Sequence, residues 1–299
     1  MRILVTGATG FVGRRAVAEL GERHEVVVVA RSVPGDLPGA ADCVEQDLAQ
    51  PLDTARWPRR VDAVIHLAQS HRYKDFPDGA QDVFAVNVHS TFRLLEWARD
   101  AGAQAFVLAS TGGVYAYASH PIREDDPVAL TGMYFRSKYA AEVLLGAYAG
   151  HLRPVILRPF FVYGAGQRGM LVPRLAERIV NGEEIVVDGD PGIRINPLHV
   201  SDAVRVLEPA VTGAVSGTIN IAGPDVVSIA GLVAALGEAT GVEPRVRHRD
   251  AELDGDLIAS TERMRAELGV TPRVGLAEGL QGVAAALRSY TPTSADGRG

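Results

Sequence analysis

Two residues four positions apart, Tyr134 and Lys138, carry side chains that could move a proton together. Positions i and i+4 of a helix share one face, so the phenol and the ammonium would point the same way. A free tyrosine ionises near pH ~10, and a neighbouring positive charge favours the phenolate and lowers the pKa of the phenol. Tyr134 could then accept a proton from an alcohol or donate one to a ketone. The pair predicts acid–base chemistry coupled to hydride transfer at a carbon–oxygen centre.

A hydroxyl group on a nearby strand end would complete this site by stabilising charge on the substrate oxygen. Thr111 follows the apolar run Ala105–Ala109 and could donate that hydrogen bond. The adjacent Ser110 is the structural alternative, since it could bond locally. The predicted catalytic residues are therefore Thr111, Tyr134 and Lys138.

The glycine-rich segment after the first apolar run predicts where a cofactor binds. Gly7 would permit a tight turn, Gly10 would let a pyrophosphate approach the backbone, and Gly13 would allow a helix to pack against a strand. The helix that starts here would offer free N–H groups to the phosphates. A merely structural turn does not need three glycines at this spacing. The predicted contacts are Gly7, Thr9, Gly10, Phe11, Val12 and Gly13.

The end of the second apolar run bears on the choice between NAD and NADP. An acidic residue there would bind the ribose 2′-hydroxyl of NAD, but this chain has Ala30 followed by Arg31 and Ser32. An arginine and a hydroxyl suit a 2′-phosphate through charge-assisted hydrogen bonds, so NADP(H) is favoured over NAD(H). In the alternative, Arg31 only stacks on the adenine. Asp47 and Leu48, after the third strand, are predicted at the adenine edge.

Short apolar runs alternate with longer amphipathic segments over the first 160 residues or so. Such runs are expected of strands buried on both faces of a parallel sheet, and they are Ile3–Val5, Val26–Ala30, Ala63–Ala68, Ala105–Ala109 and Val155–Leu157. Between them, Val83–Ala98 has apolar residues at helical spacing. The alternation predicts the α/β class, with a Rossmann-type doubly wound parallel sheet.

The pattern changes after about residue 164, where Gly, Pro and Arg surround one helical stretch, Val172–Val180. Thr218–Ala222 is a later strand-like run that is expected to return to the sheet. The predicted parts are a Rossmann domain at 1–163 that about 196–223 rejoins, a smaller C-terminal substrate lobe at 164–195 and 224–290, and a disordered tail at 291–299.

Composition narrows the class of protein further. Of 299 residues, 47% are hydrophobic and 22% charged, as in ordinary globular proteins. The net charge of −6 does not favour a nucleic-acid partner, and no apolar run approaches the roughly 18–20 residues that cross a membrane. One cysteine, Cys43, cannot form an internal disulfide, and no metal-ligand spacing is present. Because the first strand starts at once, no signal peptide is expected and the predicted location is cytoplasmic.

These motifs together resemble the extended short-chain dehydrogenase/reductase family, in its NAD-dependent epimerase/dehydratase branch, which acts on nucleotide sugars. The resemblance covers most of the chain, and beyond the glycine-rich loop and the Thr111, Tyr134 and Lys138 set it rests on His66-Leu67-Ala68, Asn87-Val88, Arg158-Pro159, Tyr163-Gly164 and Asn196…His199…Asp202. It implies a Rossmann fold with a substrate lobe, often as a homodimer with a four-helix contact. It also implies cofactor contacts at Leu67, Ala68, Gln69, Asn87, Pro159 and Phe160, and substrate contacts at Ser70, Gly112, Phe161 and Arg194.

Departures from the family pattern bear on the reaction. Dehydratases of the family carry an acidic pair after the catalytic threonine, where this chain has Gly112 and Gly113. Many of the sugar-nucleotide enzymes place an asparagine at the position of Phe161 to hold the diphosphate. Arg194 is a candidate diphosphate clamp here, or else a surface arginine. Familiar 4-epimerases have an aspartate where this chain has Ala30, and its absence favours an enzyme that exchanges its cofactor.

The predicted function is an NAD(P)-dependent oxidoreductase acting at a ring carbinol or ketone, at C4 of a nucleotide sugar. Net reduction of a ketone by NADPH is favoured. One alternative is a nucleotide-sugar 4-epimerase that retains NAD, and another is a reductase of non-sugar ketones, suggested by Phe161. A non-catalytic dinucleotide-sensing regulator belongs to a different class and would not need Tyr134 and Lys138 together.

Overall fold

A parallel sheet of seven strands forms the centre of the computed structural model, which describes residues 1–32, 35 and 37–289. The tail predicted at 291–299 lies outside the described residues. The strands are β1 (Arg2–Thr6), β2 (Glu25–Ala30), β3 (Ala40–Glu45), β4 (Ala63–His66), β5 (Ala105–Ala109), β6 (Arg153–Pro159) and β9 (Gly217–Ile221). Their order is β3-β2-β1-β4-β5-β6-β9. The order reverses direction between β1 and β4, where this fold binds dinucleotides at the carboxyl ends of the strands.

Two smaller sheets and ten helices complete the part of the chain that is described. β7 (Glu184–Asp188) pairs with β11 (Arg245–Arg249), and β8 (Arg194–Ile195) pairs with β10 (Val227–Ser228). The helices are α1 (Phe11–Gly21), α2 (Ala80–Phe84), α3 (Ser90–Asp100), α4 (Gly132–Gly146), α5 (Leu171–Val180), α6 (Val200–Arg205), α7 (Leu207–Thr212), α8 (Ile229–Thr240), α9 (Glu262–Leu268) and α10 (Leu276–Ser289). Among these described helices, none is long and apolar enough to cross a membrane.

Both faces of the central sheet are buried, which explains why its strands are apolar throughout. Successive side chains of a strand point to opposite faces. Ile3 and Val5 of β1 pack into one cluster with α1 and α7, whereas Leu4 packs into the other with Leu94 and Leu95 of α3. The predicted α/β fold with a doubly wound parallel sheet is confirmed, and β9 joins the sheet beside β6 as the sequence predicts.

A third apolar cluster lies in the region assigned to the substrate lobe. It joins Ile179 of α5, Ile185 of β7, Leu236 of α8 and Leu280 of α10. One segment differs from the prediction that 224–290 belongs to this lobe. Helix α9 packs its buried Met264 and Leu268 into a cluster on the face of the central sheet, so this part of 224–290 contributes to the Rossmann core.

The amphipathic stretch predicted as one helix over Val83–Ala98 is interrupted. Helices α2 and α3 are joined by one wide π-helical turn, Ala85–His89. The Ser90 and Thr91 hydroxyls donate hydrogen bonds to backbone carbonyl oxygens one turn earlier, at 2.6 and 2.8 Å, and such bonds compete with regular helix geometry. The turn places Asn87 beside helix α4, where it bonds to Ser137, and a regular amphipathic pattern does not indicate this contact.

Candidate active site

The glycine-rich loop between β1 and α1 has the shape that a dinucleotide pyrophosphate requires. Gly7 has a φ of +71°, and a Cβ atom there would lie 2.5 Å from the Ala68 backbone nitrogen. A Cβ on Gly13 would lie 2.1 Å from the Gly7 carbonyl oxygen, so neither position admits a side chain. Helix α1 starts directly after Gly10, and because glycine has no side chain, this residue cannot cap the helix N–H groups. Its first N–H groups therefore remain available to phosphate oxygens, and the loop fits a nicotinamide dinucleotide.

The segment after β2, where the sequence predicts the adenosine ribose, is open to solvent at Arg31. Ala30 is buried at the end of β2, whereas Arg31 and Ser32 are exposed. Within the described residues, Arg31 makes no hydrogen bond or ion pair. The Asp47 carboxylate accepts a hydrogen bond of 3.0 Å from the Ala49 backbone nitrogen, and Leu48 is buried beside it. An exposed guanidinium next to a hydroxyl is suited to an anionic group on the ribose.

The predicted catalytic residues come together at the carboxyl ends of β4 and β5. Tyr134 lies in the first turn of α4, where its phenol donates a hydrogen bond of 3.0 Å to the Gln69 side-chain oxygen. Thr111 lies beside the same phenol. The Thr111 oxygen accepts a hydrogen bond of 3.1 Å from the Gly113 nitrogen, so its own proton remains available for donation.

Burial sets the protonation of Tyr134 in this structure. It raises the pKa of the phenol, and the neighbouring Tyr73 adds to the rise, although hydrogen bonds to Gln69 and Thr111 oppose it. The direction is opposite to that expected from Lys138 alone. Tyr134 is therefore a proton donor at neutral pH, and it becomes a base only when additional positive charge stabilises its phenolate.

Lys138 follows one turn later on α4 and is only 2% exposed. Burial lowers the pKa of its ammonium to about 8, and the negative charge of Glu142 opposes that shift. Lys138 is thus largely protonated at neutral pH, but by a narrow margin. A charged amine at this position can stabilise a phenolate and donate hydrogen bonds to hydroxyl groups of a cofactor ribose.

His66 at the end of β4 is a neutral packing residue. Its Nδ1 atom lies 2.6 Å from the Thr6 hydroxyl and its Nε2 atom lies 3.1 Å from the Thr91 hydroxyl. Because Thr91 donates its own proton to the Asn87 carbonyl oxygen, its oxygen is free to accept a bond from Nε2–H. Burial, together with the charge of Lys138, lowers the pKa of the imidazole to about 3.

Asn87 connects the loop after β4 to the catalytic helix. Its side-chain oxygen accepts a hydrogen bond of 2.8 Å from the Ser70 nitrogen, and its amide donates one of 2.9 Å to the Ser137 hydroxyl. Ser137 in turn donates to the Tyr134 carbonyl oxygen at 2.7 Å. Ser70, predicted to bind substrate, already donates its hydroxyl proton to the Asp82 carboxylate.

One aromatic residue of the site was not predicted by sequence reasoning as a member of it. The ring of Tyr73, in a 3-10 turn after β4, packs on the ring of Tyr134 with 4.5 Å between centroids. In the sequence, Tyr73 stands in a polar segment after the apolar run Ala63–Ala68. Its isolated position in a polar segment gives no periodic signal that would single it out.

Aromatic rings pack against the two glycines that follow Thr111. A Cβ atom on Gly112 would lie 2.4 Å from the Phe160 ring, and one on Gly113 would lie 2.3 Å from the Phe135 ring. Phe161 has a φ of +47°, a left-handed conformation that costs a residue with a Cβ atom about 1–2 kcal/mol. Phe161 adopts this conformation although glycine and asparagine are the residues that tolerate it best.

Arg194 forms its hydrogen bonds with Asp256 and not with the predicted catalytic residues. Its Nε atom and one terminal nitrogen both donate to Asp256 Oδ2, at 2.9 and 2.6 Å, and its backbone nitrogen donates to Oδ1 at 2.7 Å. Its guanidinium is half-exposed beside a mostly buried carboxylate. The candidate diphosphate clamp therefore has a protein partner already, and this pairing ties β8 to the segment before Leu257.

Comparisons with known proteins agree with this geometry. The sequence model of the NAD dependent epimerase/dehydratase family matches residues 3–222. A dTDP-glucose 4,6-dehydratase of Streptomyces griseus is 33% identical over 93% of this chain and 91% of its own length. A UDP-glucose 4-epimerase of Mycolicibacterium smegmatis is 32% identical over 94% of this chain and 96% of its own length. The structure of MoeE5 in complex with UDP-glucose and NAD has a TM-score of 0.82 and 32% identity, over 96% of this chain and 99% of that one.

The chain belongs to the NAD-dependent epimerase/dehydratase family of extended short-chain dehydrogenases/reductases. The predicted resemblance and the prediction of an enzyme are confirmed. A nicotinamide dinucleotide is its cofactor, and the relatives described above are named for nucleotide-sugar substrates. The preference for NADP(H), the net reaction and the roles of individual residues stay predictions.

Proposed function

We propose that this enzyme interconverts epimers at C4 of a UDP-hexose, with a nicotinamide dinucleotide that stays bound. The observation that carries the proposal is the placement of Thr111 beside the Tyr134 phenol, with Lys138 one turn later on α4 and aromatic rings closing the positions after Thr111. This set can move one proton and position one carbinol, which is all that oxidation and re-reduction at one carbon requires. The similar M. smegmatis epimerase and the UDP-glucose bound to MoeE5 support the choice of substrate.

The residues divide the work at the C4 hydroxyl as follows. Thr111 donates a hydrogen bond to O4, and Tyr134, once ionised, accepts the O4 proton. Bound NAD⁺ supplies the chemistry of accepting hydride from C4 and returning it. Lys138 holds the nicotinamide ribose and stabilises the Tyr134 phenolate. After the 4-ketone has presented its other face, Tyr134 returns the proton to O4, so that protons and electrons balance over the cycle.

Dehydration is disfavoured although one relative carries that name. Elimination needs a further acid and base beside the catalytic threonine, and Gly112 and Gly113 supply none. The rings of Phe160 and Phe135 occupy the space that side chains at these two positions would need. A carboxylate at position 112 would require Phe160, which is 1% exposed, to move.

A second candidate is an NADPH-dependent ketoreductase, which Ala30, Arg31 and Ser32 favour. No carboxylate follows β2 at Ala30 to bind a ribose 2′-hydroxyl, and Arg31 and Ser32 are exposed where a 2′-phosphate would lie. In this reaction Tyr134 would donate its proton to a 4-ketone. Burial favours this direction, because it raises the pKa of the phenol and keeps it protonated. Such an enzyme would release its oxidised cofactor after each turnover.

The remaining assignments follow the same proposal. We propose that the cofactor contacts Gly7, Thr9, Gly10, Phe11, Val12, Gly13, Arg31, Ser32, Asp47, Leu48, Leu67, Ala68, Gln69, Asn87, Pro159 and Phe160. Ser70, Gly112 and Phe161 are proposed to contact the sugar or the diphosphate, while Arg194 would have to leave Asp256 to do so. Exposed Phe84, Phe92 and Val143 on α2, α3 and α4 support a homodimer through these helices.

The test combines cofactor identity with turnover. Purified protein is denatured, the released nucleotide is identified by mass spectrometry, and native protein is incubated with UDP-galactose without added cofactor. Retained NAD and formation of UDP-glucose are expected. Protein that is isolated without cofactor and consumes NADPH with a 4-keto sugar nucleotide would establish the reductase instead.

A further inference from the structure

Glu142, a buried carboxylate on α4, connects all the elements that carry the catalytic residues. It lies four residues after Lys138 on the same helix, and it is 4% exposed. Ser110, at the end of β5 and directly before Thr111, donates its hydroxyl proton to Glu142 Oε1. Arg158 of β6 donates from Nε to Oε1 at 3.1 Å and from a terminal nitrogen to Oε2 at 2.6 Å. One side chain thus joins the strand end of Thr111, the helix of Tyr134 and the strand that leads to Pro159.

Arg158 is held on its other side as well. Its guanidinium carbon lies 4.6 Å from the centroid of the Tyr115 ring, and the Tyr115 phenol donates a hydrogen bond of 2.9 Å to the Asn220 side-chain oxygen. Burial raises the pKa of Tyr115 to about 12, so this phenol stays neutral. The Glu142–Arg158 pair is therefore fixed on both sides, and its geometry is bidentate.

The charged and titratable groups that face Lys138 come from three elements. His66 from β4 and Glu142 from α4 interact with its charge, Tyr134 lies one turn earlier on α4, and Arg158 from β6 reaches this side only through its pair with Glu142. His66 and Tyr134 are neutral near pH 7. Glu142 is consequently the group that supplies negative charge to this side of the buried ammonium.

We propose that Glu142 is a positioning residue of the active site that keeps Lys138 charged and holds the Ser110–Thr111 strand end against the catalytic helix. The inference rests on the proposed role of Lys138 in binding the nicotinamide ribose and in stabilising the phenolate. Without the carboxylate, the buried ammonium loses its compensating charge and gives up its proton at a lower pH. A residue that only anchored β6 to α4 would not change the pH at which Lys138 titrates.

The experiment measures NADH binding by fluorescence across a pH series, in wild-type enzyme and in Glu142→Gln. Wild-type affinity is expected to fall as the pH rises through about 8, where Lys138 loses its proton. In Glu142→Gln the midpoint of this fall is expected about one pH unit lower. An unchanged midpoint, with only a lower melting temperature, would overturn the proposal. Glu208→Gln breaks an Arg–Glu pair on the protein surface and serves as the matched control.

Two further variants keep the test decisive, because Glu142→Gln leaves a buried Arg158 without its partner. The double variant Glu142→Gln/Arg158→Met removes both charges, and its midpoint is expected to stay low. A return to the wild-type midpoint would trace the effect to Arg158 and overturn the role of Glu142. Glu142→Asp retains the charge and is expected to keep the wild-type midpoint; a lowered midpoint there would also contradict the proposal. Since NADH binding needs no sugar, a shifted midpoint without any turnover of UDP-hexoses would refute only the proposed reaction.

Discussion

Replacement of Lys138, the proposed catalytic lysine, by methionine is expected to stabilise the protein while it removes activity. Burial lowers the pKa of Lys138 from 10.5 to about 8, which means that the fold disfavours the ammonium that the unfolded chain carries. Each pKa unit corresponds to about 1.4 kcal/mol, so a charged Lys138 costs about 3 kcal/mol of folding free energy at pH 7. Lys138→Met has similar volume and no charge, and it is expected to recover much of that amount.

The pH dependence gives this prediction its sign. A base whose pKa is lowered in the folded state destabilises the fold fully below the lowered value, and this cost disappears as the pH rises from about 8 towards 10.5. The advantage of Lys138→Met over wild type should therefore be largest at pH 7, fall to about a quarter of that value at pH 10, and disappear only above pH 10.5. Effects of ionising tyrosines occur in both proteins and cancel in the difference.

The assay is urea unfolding of both proteins without cofactor, since a ligand that binds the folded state would raise the stability of one more than the other. Lys74→Met, which changes an exposed lysine, is the matched control and is expected to change stability little at either pH. If Lys138→Met is no more stable than wild type at pH 7, or if its advantage is equal at pH 7 and 10, the buried-ammonium reasoning is wrong.

Three further predictions concern the catalytic phenol, the glycine after Thr111 and the adenosine end. Tyr134→Phe removes the group that transfers the proton, so kcat for sugar interconversion should fall about 10²–10⁴-fold. NADH binding, followed by fluorescence, should stay within about twofold of the wild-type value. An equal loss of activity and of NADH binding would indicate a folding defect. Gly112→Ala brings a Cβ atom against the buried Phe160 ring. Overpacking of this kind should lower the free energy of unfolding by about 1–3 kcal/mol, measured by denaturant titration. An unchanged free energy of unfolding would mean that the Phe160 ring moves aside without cost. Arg31→Ala should weaken NADPH binding about tenfold or more, by loss of a charge-assisted contact, and leave NADH binding unchanged in parallel titrations; an equal change in both would assign Arg31 to the adenine.

Much of the fold could be predicted from the sequence because buried parallel strands have an unusual composition. Strand β5 begins and ends where the apolar run does, and β1 and β2 extend their runs by one or two residues. The run over Ala63–Ala68 is longer than β4, because the chain leaves the sheet after His66 to pass against Gly7. Apolar composition records burial and not strand pairing: Leu67 still donates one backbone hydrogen bond to Thr6 at the end of β1, and both residues 67 and 68 lie against Gly7 of the loop.

The site could be predicted in part. Its motifs consist of residues that are close in the sequence, whereas the residues that hold them in place come from distant parts of the chain. Tyr134 and Lys138 share a helix face, and the glycine loop follows a strand directly, so spacing alone indicates both. Glu142 and Arg158 are 16 residues apart on different elements, and nothing in their spacing predicts a bidentate contact. The raised pKa of Tyr134 likewise depends on burial by residues such as Tyr73, which the sequence places only in a loop.

The central claim is that hydride leaves C4 of the sugar and returns to the same carbon. UDP-galactose that carries deuterium at C4 is incubated with the purified enzyme without added cofactor, and the product is analysed by NMR and mass spectrometry. The proposal predicts UDP-glucose with the deuterium retained at C4, formed about 10²–10⁴-fold more slowly by Tyr134→Phe. Deuterium at another carbon, or a ketone that accumulates until NADPH is added, would contradict a 4-epimerase.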